Sequence, residues 1–345
     1  MPDFSVLIQN WYRQNRRLLP WRESIDPYSI WLSEVILQQT RVEQGTSYYL
    51  RFISAFPTVN HLAKASEDEV LSLWQGLGYY SRARNMHTAA KTIVEKHDGI
   101  FPADYKSILD LKGVGDYTAA AIASISYDLP HAVVDGNVYR VLARYLKINT
   151  PIDTSAGKKL FAKIAHELLD TENPGIHNQA LMEIGALVCT PKNPKCQKCP
   201  ISEKCMSFED HSQPDYPVKA KKTKVRDRFF HYLVVTDGQQ LLLKKRGEKD
   251  IWQGLYDFPL IEKKDNKLPD HKEFNSWSPQ NIHEEAAFTH ILSHQKIHAR
   301  FWVITVKKLN GQDGQLVVDR NELEDYPLPQ LLIRYVKSSG FFSGN

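Results

Sequence analysis

The sequence predicts two domains of different class: an all-α region over about residues 3–208, then an α+β region over about 228–340. Three observations carry this. Apolar residues in the first region recur with helical spacing. All four cysteines fall in one short loop, 189–205, at the end of that region. Beyond it lies a Pro- and Lys-containing stretch, then runs of β-branched and aromatic residues. A chain of 345 residues is too long for one small domain, and its 42% hydrophobic content supports sizeable cores.

In chain order, Tyr28, Trp31, Leu32, Val35 and Ile36 follow i, i+3, i+4, i+7, i+8 spacing. Ile30 and Leu37 fall opposite them, so this helix is apolar nearly all round. Residues 69–74 and 87–94 read as further short helices, and Val138, Val141, Leu142, Tyr145 and Leu146 repeat the helical pattern. Turn signals at Phe56-Pro57 and Gly99-Ile100-Phe101-Pro102 separate them, giving about ten helices. After Ser212-Gln213-Pro214 comes a basic stretch of Lys219, Lys221, Lys222, Lys224, Arg226 and Arg228. It reads either as a solvated linker or as a strand crossing near phosphates. Residues 229–235 and 240–243 read as strands around an Asp237-Gly238 turn, with another strand at 300–306. The boundaries are therefore set at 1–211 for the helical domain, 212–228 for the linker and 229–345 for the second domain.

A net charge of +4 is compatible with nucleic acid without requiring it. No run of 18 apolar residues is present, and Met1-Pro2-Asp3 opens no signal-peptide pattern. The expectation is a monomer without a membrane partner in the cytoplasm, associated with the nucleoid if the source is bacterial. Cysteines confined to 189–205 argue against a secreted disulfide framework.

Five patterns carry chemistry. Leu111-Lys112-Gly113-Val114-Gly115-Asp116-Tyr117-Thr118 is a two-glycine hairpin leading into an alanine-rich helix, whose exposed N–H groups form a ready anion site. Glu34 lies in the all-apolar helix, where desolvation raises a carboxyl toward the range of a general acid. It reads equally as a buried structural glutamate paired with Arg41 or another cation. Asp135 opens a helix at Asp135-Gly136-Asn137, as a cap and, compatibly, as a carboxylate kept ionised for a cationic transition state. One raised acid and one ionised acid is the division of labour of glycosidic bond cleavage. Gly76-Leu77-Gly78-Tyr79-Tyr80-Ser81-Arg82-Ala83-Arg84 reads as a base-stack wedge with phosphate-binding arginines, or as a loop with core aromatics. Cys189-x6-Cys196-x2-Cys199-x5-Cys205 can ligate zinc or an iron–sulfur cluster, and its single close CxxC fits a [4Fe-4S] cluster better.

With these motifs the chain resembles the helix–hairpin–helix DNA glycosylase superfamily, and most closely its adenine-removing branch. Pro20-Trp21-Arg22, Ser33-Glu34-Val35-Ile36-Leu37-Gln38-Gln39-Thr40, Gly76-Leu77-Gly78-Tyr79-Tyr80, Val134-Asp135-Gly136-Asn137-Val138 and the cysteine spacing all match. The resemblance implies a two-lobed all-α catalytic domain and a [4Fe-4S] cluster on Cys189, Cys196, Cys199 and Cys205. It implies double-stranded DNA as partner, with adenine opposite 8-oxoguanine or guanine flipped into a cleft. Glu34 would protonate adenine N7, and Asp135 would stabilise or bond to the sugar, with Tyr117 and Asn137 assisting. Trp21, Arg22 and Gln179 would line the adenine pocket. Gln39, Leu77 and Tyr79 would fill the gap near the oxidised guanine, and Gly113, Val114 and Gly115 would hold the DNA backbone. Endonuclease III carries a lysine at the position of Tyr117, so the resemblance implies a monofunctional enzyme that spares the strand. Lys112 is discounted as a substitute, since it lies on the phosphate side of the hairpin.

The second domain resembles the Nudix fold without its Gly-x5-Glu-x7-Arg-Glu-x2-Glu-Glu box. His283-Glu284-Glu285 is too isolated to restore that box, so the domain is expected to read 8-oxoguanine. Leu292-Ser293-His294 matches a Phe-Ser-His recognition loop, with Leu292 replacing the aromatic residue and Ser293 and His294 retained. Two competing readings remain testable: a thymine-glycol-type glycosylase/lyase, which borohydride would trap on DNA, and a non-catalytic iron–sulfur DNA-binding regulator, which would bind mispairs without releasing base.

Overall fold

The computed structural model describes residues 4–220, 225–248, 250–311 and 314–339. Lys221, Lys222 and Lys224 of the basic stretch lie outside them. The helices are α1 (Phe4–Asn15), α2 (Pro27–Leu37), α3 (Val42–Ala55), α4 (Val59–Lys64), α5 (Glu67–Trp74), α6 (Ser81–Lys96), α7 (Tyr105–Leu109), α8 (Asp116–Tyr127), α9 (Gly136–Tyr145), α10 (Ser155–Leu168), α11 (Pro174–Leu187), α12 (Met206–Glu209) and α13 (Gln330–Ser338). Twelve of them precede the sheet among the described residues, more than the ten expected, because the short helices α4 and α12 have too few residues to show a period. The expected helix at 87–94 begins at Ser81, so part of the glycine–aromatic–arginine motif is helical.

Contacts divide the chain into two compact units, 1–64 with 85–221, and 65–84 with 222–345. The segment holding the glycine–aromatic–arginine motif thus packs with the C-terminal unit.

In the first unit, α2 is buried from Tyr28 to Ile36 on all sides, as an all-round apolar helix requires. Asp26 caps it, accepting from Ser29 N. Helix α8 packs against α2 and α11 through Ala119, Ala120, Ala121 and Ala123, each at most 2% exposed. Such small side chains let helices approach closely. A second core joins α1, α9, α10 and α11 through Ile8, Leu142, Phe161 and Ile184.

The second unit holds a mixed seven-stranded sheet among the described residues: β1 (Arg226–Thr236), β2 (Gln240–Lys245), β3 (Tyr256–Asp257), β4 (Leu260–Lys263), β5 (Asn281–Ile291), β6 (Gln295–Thr305) and β7 (Gln315–Asp319). The main order is β3-β2-β1-β6-β5, with β4 also on β1 and β7 on β2. β1 and β2 are antiparallel around Asp237-Gly238, while β1 and β6 run parallel from Arg226↔Gln295 to Thr236↔Thr305. Phe230, Tyr232 and Val234 face a core closed by Leu331, Leu332 and Tyr335 of α13. Leu233 and Val235 face a second core with Phe274 and Ile304. Both faces of β1 are covered, which explains its apolar run from Tyr232 to Val235.

Arg226 and Arg228 belong to β1, and Arg228 corrects the phosphate reading. It is 9% exposed and ion-paired to Asp250 (2.8 Å) and Glu262 (2.7 Å). A guanidinium so committed is a structural group of the sheet.

Candidate active site and metal centre

The hairpin is built as its glycines require. Val114 N–H closes a turn onto Leu111 O (3.0 Å), with Gly113 at φ +79° in its third position. A Cβ there would also lie 2.6 Å from Asn85 Cβ. Gly115, at φ −110°, is under neither constraint, and a Cβ on it would meet open space. The hairpin delivers α8, whose second residue is Tyr117.

A cleft of about 220 Å³ in the first unit gathers Trp21, Arg22, Glu34, Tyr117, Asp135, Asn137 and Gln179. Glu34 comes from the middle of α2 and is 9% exposed. Its Oε2 accepts from the Tyr117 hydroxyl, which also lies 3.7 Å from Met182 Sδ. Arg41 is not its partner, and no ion pair to Glu34 occurs among the described residues. Burial raises the Glu34 carboxyl to about 7; the Tyr117 hydrogen bond opposes this, the nearby Asp135 charge reinforces it, and Arg22 opposes it. Burial and the adjacent carboxylates hold the Tyr117 phenol well above its ordinary range, so it remains a proton donor.

Asp135 is the cap of α9. Its Oδ1 accepts from Asn137 N (2.9 Å) and Val138 N (2.8 Å), and its Oδ2 from Asn137 Nδ2 (2.7 Å). Burial raises its carboxyl, while these donors and Arg140 pull it down. The two acids thus sit in different environments, one held by a phenol and one by a helix start. Gln179 Oε1 accepts from Tyr12 (2.9 Å), which leaves the amide N–H donors for a ligand. Trp21 is buried on the turn Pro20–Arg22 and packs edge-on to Tyr49 at 5.4 Å.

Arg17 and Glu183 of the cleft, and Gly185 beside it, escaped the sequence reading. Glu183 of α11, 1% exposed, binds both Arg17 and Arg22. A legible signal was Gln179 and Glu183, polar at i, i+4 on the helix Pro174–Leu187. Gly185 had no such signal: a Cβ there would lie 2.5 Å from Asn137 Cβ, so the glycine admits the start of α9 against α11.

Cys189, Cys196, Cys199 and Cys205 line one small cavity with Val141, Val188, Ile201 and Phe208. No three metal-binding side chains among the described residues close around a single ion. Four thiols on one apolar-walled cavity form a donor set that suits iron–sulfur ligation. Burial raises the Cys199 thiol to about 12, and two positive charges face the ring: Arg144 Nη1 lies 3.4 Å from Cys189 Sγ, and Arg140 Nε donates to Cys189 O (2.6 Å). Cations there favour the thiolate form that iron requires.

The model of HhH-GPD superfamily base excision DNA repair proteins matches residues 32–167, and that of the NUDIX domain matches residues 231–338. The adenine DNA glycosylase of Buchnera aphidicola subsp. Schizaphis graminum is 38% identical over 300 residues, 86% of this chain and 85% of that one. The chain belongs to the adenine DNA glycosylase (MutY) family. The solved structure of a thermostable thymine-DNA glycosylase is 29% identical, with a TM-score of 0.56 over 60% of this chain and 95% of that one. An endonuclease III–DNA complex, 20% identical, shares the helical fold at a TM-score of 0.52, over 60% of this chain and 94% of that one.

The other residues that the family resemblance singled out lie outside the cleft. Gln39 is exposed in the turn after α2, at φ +59°. Leu77, Tyr79, Ser293 and His294 line a cavity of about 480 Å³ in the second unit, with Trp252 and His290. Ser293 and His294 are exposed at the turn between β5 and β6, and the Tyr79 hydroxyl hydrogen-bonds Ser293 Oγ. Leu292 is half-buried and packs on the sheet core, taking the place of an aromatic residue there. Leu77 is 8% exposed, so a wedge role requires it to leave this packing.

Proposed function

We propose that the cleft removes adenine opposite 8-oxoguanine or guanine in double-stranded DNA by acid-assisted hydrolysis of the N-glycosidic bond. The observation that carries this is Glu34, raised to about 7, facing the capped Asp135 across Tyr117. With Oε2 engaged by Tyr117, the neutral acid offers its proton from Oε1 to adenine N7. The C1′–N9 bond then breaks, and its electron pair leaves with the protonated base. The Asp135 carboxylate stabilises the oxocarbenium-like sugar. Water adds at C1′ and its proton passes to the ionised Glu34. Asn137 orients Asp135, Gln179 offers amide donors to the base, and Trp21 and Arg22 wall the pocket. Tyr117 supplies no amine, so no Schiff base forms and the strand remains joined.

The hairpin N–H groups of Gly113, Val114 and Gly115 would hold a DNA phosphate, and the open face of Gly115 permits close approach. The four cysteines would hold a [4Fe-4S] cluster, which would order the 189–205 loop so that its Lys192, Lys195, Lys198 and Lys204 present positive charge to DNA. Tyr79, Ser293 and His294 would read the base opposite adenine, with Gln39 and Leu77 filling the gap. Matched A:8-oxoguanine, A:G and A:T duplexes test the reading, with free adenine and strand breaks measured separately. Adenine release with scission only after alkali supports it. Prompt nicking with a borohydride-trapped adduct, or mispair binding without base release, overturns it.

A further inference from the structure

Glu183 is the most heavily paired acid of the cleft, and the reaction above assigns it no step. It accepts from Arg17 N (2.9 Å), Nε (2.9 Å) and Nη2 (2.6 Å), and from Arg22 Nη1 (2.9 Å) and Nη2 (2.8 Å). Forked pairs of this kind are the strongest ionic contacts a protein makes. Burial acts to raise the Glu183 carboxyl, yet the two arginines bring it down to about 2. It is therefore ionised throughout the working range.

We propose that Glu183 is a positioning residue that sequesters the Arg22 guanidinium from Glu34 and thereby keeps Glu34 a proton donor in neutral solution. The proposal rests on the reading of Glu34 as the general acid. Arg22, Glu34 and Glu183 line the same cleft, and the Arg22 charge already acts on Glu34. The groups facing Glu34 can be named element by element. Tyr117 of α8 donates to it and stays neutral. Asp135 at the start of α9 repels its ionised form. Arg140 of α9 is committed to Asn137 Oδ1 (2.9 Å) and Gly185 O (2.7 Å). Tyr12 of α1 lies under Arg22, with the guanidinium 5.5 Å from its ring. Arg17 and Arg22 are the remaining cations of the cleft wall, and both are held by Glu183 of α11. Without that counter-ion, two carboxyls of the cleft remain: Asp135 is already held by Asn137 and Val138, whereas Glu34 is the one whose charge acts on Arg22, and that pair would hold Glu34 ionised. A buried carboxylate beside a guanidinium gives up its capacity to donate.

The test follows single-turnover adenine release from an A:8-oxoguanine duplex against pH for the wild type, Glu183→Gln and Glu183→Gln/Arg22→Gln. Infrared titration of the Glu34 carboxyl, assigned with Glu34→Gln, runs in parallel. In the wild type both readouts fall off as pH rises through about 7. In Glu183→Gln both midpoints move down by about one to two pH units, with tenfold or greater loss of rate above neutrality and recovery in acid. In the double variant the midpoints return toward the wild-type position, whatever the plateau rate. An unmoved midpoint with a uniformly lower rate assigns Glu183 a merely structural role and overturns the proposal. Should Glu183→Gln not fold, Glu183→Asp keeps the charge with a shorter reach, and the same shift is expected, smaller in size. If the infrared midpoints move as stated but the wild type releases no adenine, the functional reading fails and the assignment of Glu183 stands.

Discussion

Replacing Glu34 with glutamine separates catalysis from stability in one variant. The amide is nearly isosteric, keeps the contact with the Tyr117 hydroxyl, and cannot transfer a proton. General acids contribute roughly 10²–10⁴-fold, so adenine release should fall by about 3–5 kcal/mol of transition-state stabilisation. Duplex binding should persist, since the cleft keeps its shape. Stability should move the other way. The Glu34 carboxyl stands at about 7 in the folded chain against 4.5 ordinarily. A group raised on folding favours its protonated form in the native state. Stability therefore falls as pH rises from about 4.5 to about 7 and is flat above. At roughly 1.4 kcal/mol per unit, ionised Glu34 costs the fold up to about 3 kcal/mol. Glu34→Gln should melt higher than the wild type above neutrality and equally below pH of about 4.5. Gel-shift binding, single-turnover adenine release and calorimetric melting at several pH values check the three statements. A variant that still releases adenine at the wild-type rate refutes the acid assignment. A variant that melts lower at every pH refutes the desolvation argument.

Asp135→Asn should lose a hundredfold or more of adenine release while keeping the α9 cap, since asparagine caps as well as aspartate; thermal melts near wild type alongside lost excision distinguish the two roles. Chains purified without oxidation should carry stoichiometric iron and acid-labile sulfide with broad absorbance near the visible–ultraviolet boundary, and Cys199→Ser should lose both; zinc without sulfide would refute a cluster. Gly185→Ala should cost about 1–3 kcal/mol in denaturant melts and lower excision with it, because its Cβ would press on Asn137 at 2.5 Å and displace the Asp135 cap.

The legible parts of the fold were those written in local periodicity and turn chemistry. The all-round apolar pattern of α2, the capped start of α9 and the Asp237-Gly238 hairpin depend on neighbours within a few residues. The short helices α4 and α12 were not legible, since six and four residues hold too little of a period. Arg228 was misread because a basic run looks the same whether its members face water or carboxylates. Its partners Asp250 and Glu262 are brought to it by the sheet. Glu183 was overlooked for a similar reason, as its arginines lie more than 160 residues earlier in the chain.

By itself the sequence determined the residue types and their local placement: one glutamate in an apolar helix, one aspartate at a helix start, a tyrosine after the hairpin, and four clustered cysteines. These are statements about residue type and local spacing, which short-range sterics and hydrogen bonding settle. Only the tertiary structure decided which of those groups share a cleft, and what each feels there. The raised carboxyl of Glu34, the restraint of Arg22 by Glu183 and the close seat of Asn137 on Gly185 arise between distant segments. Desolvation and charge act through space, so they exist only once the helices have packed.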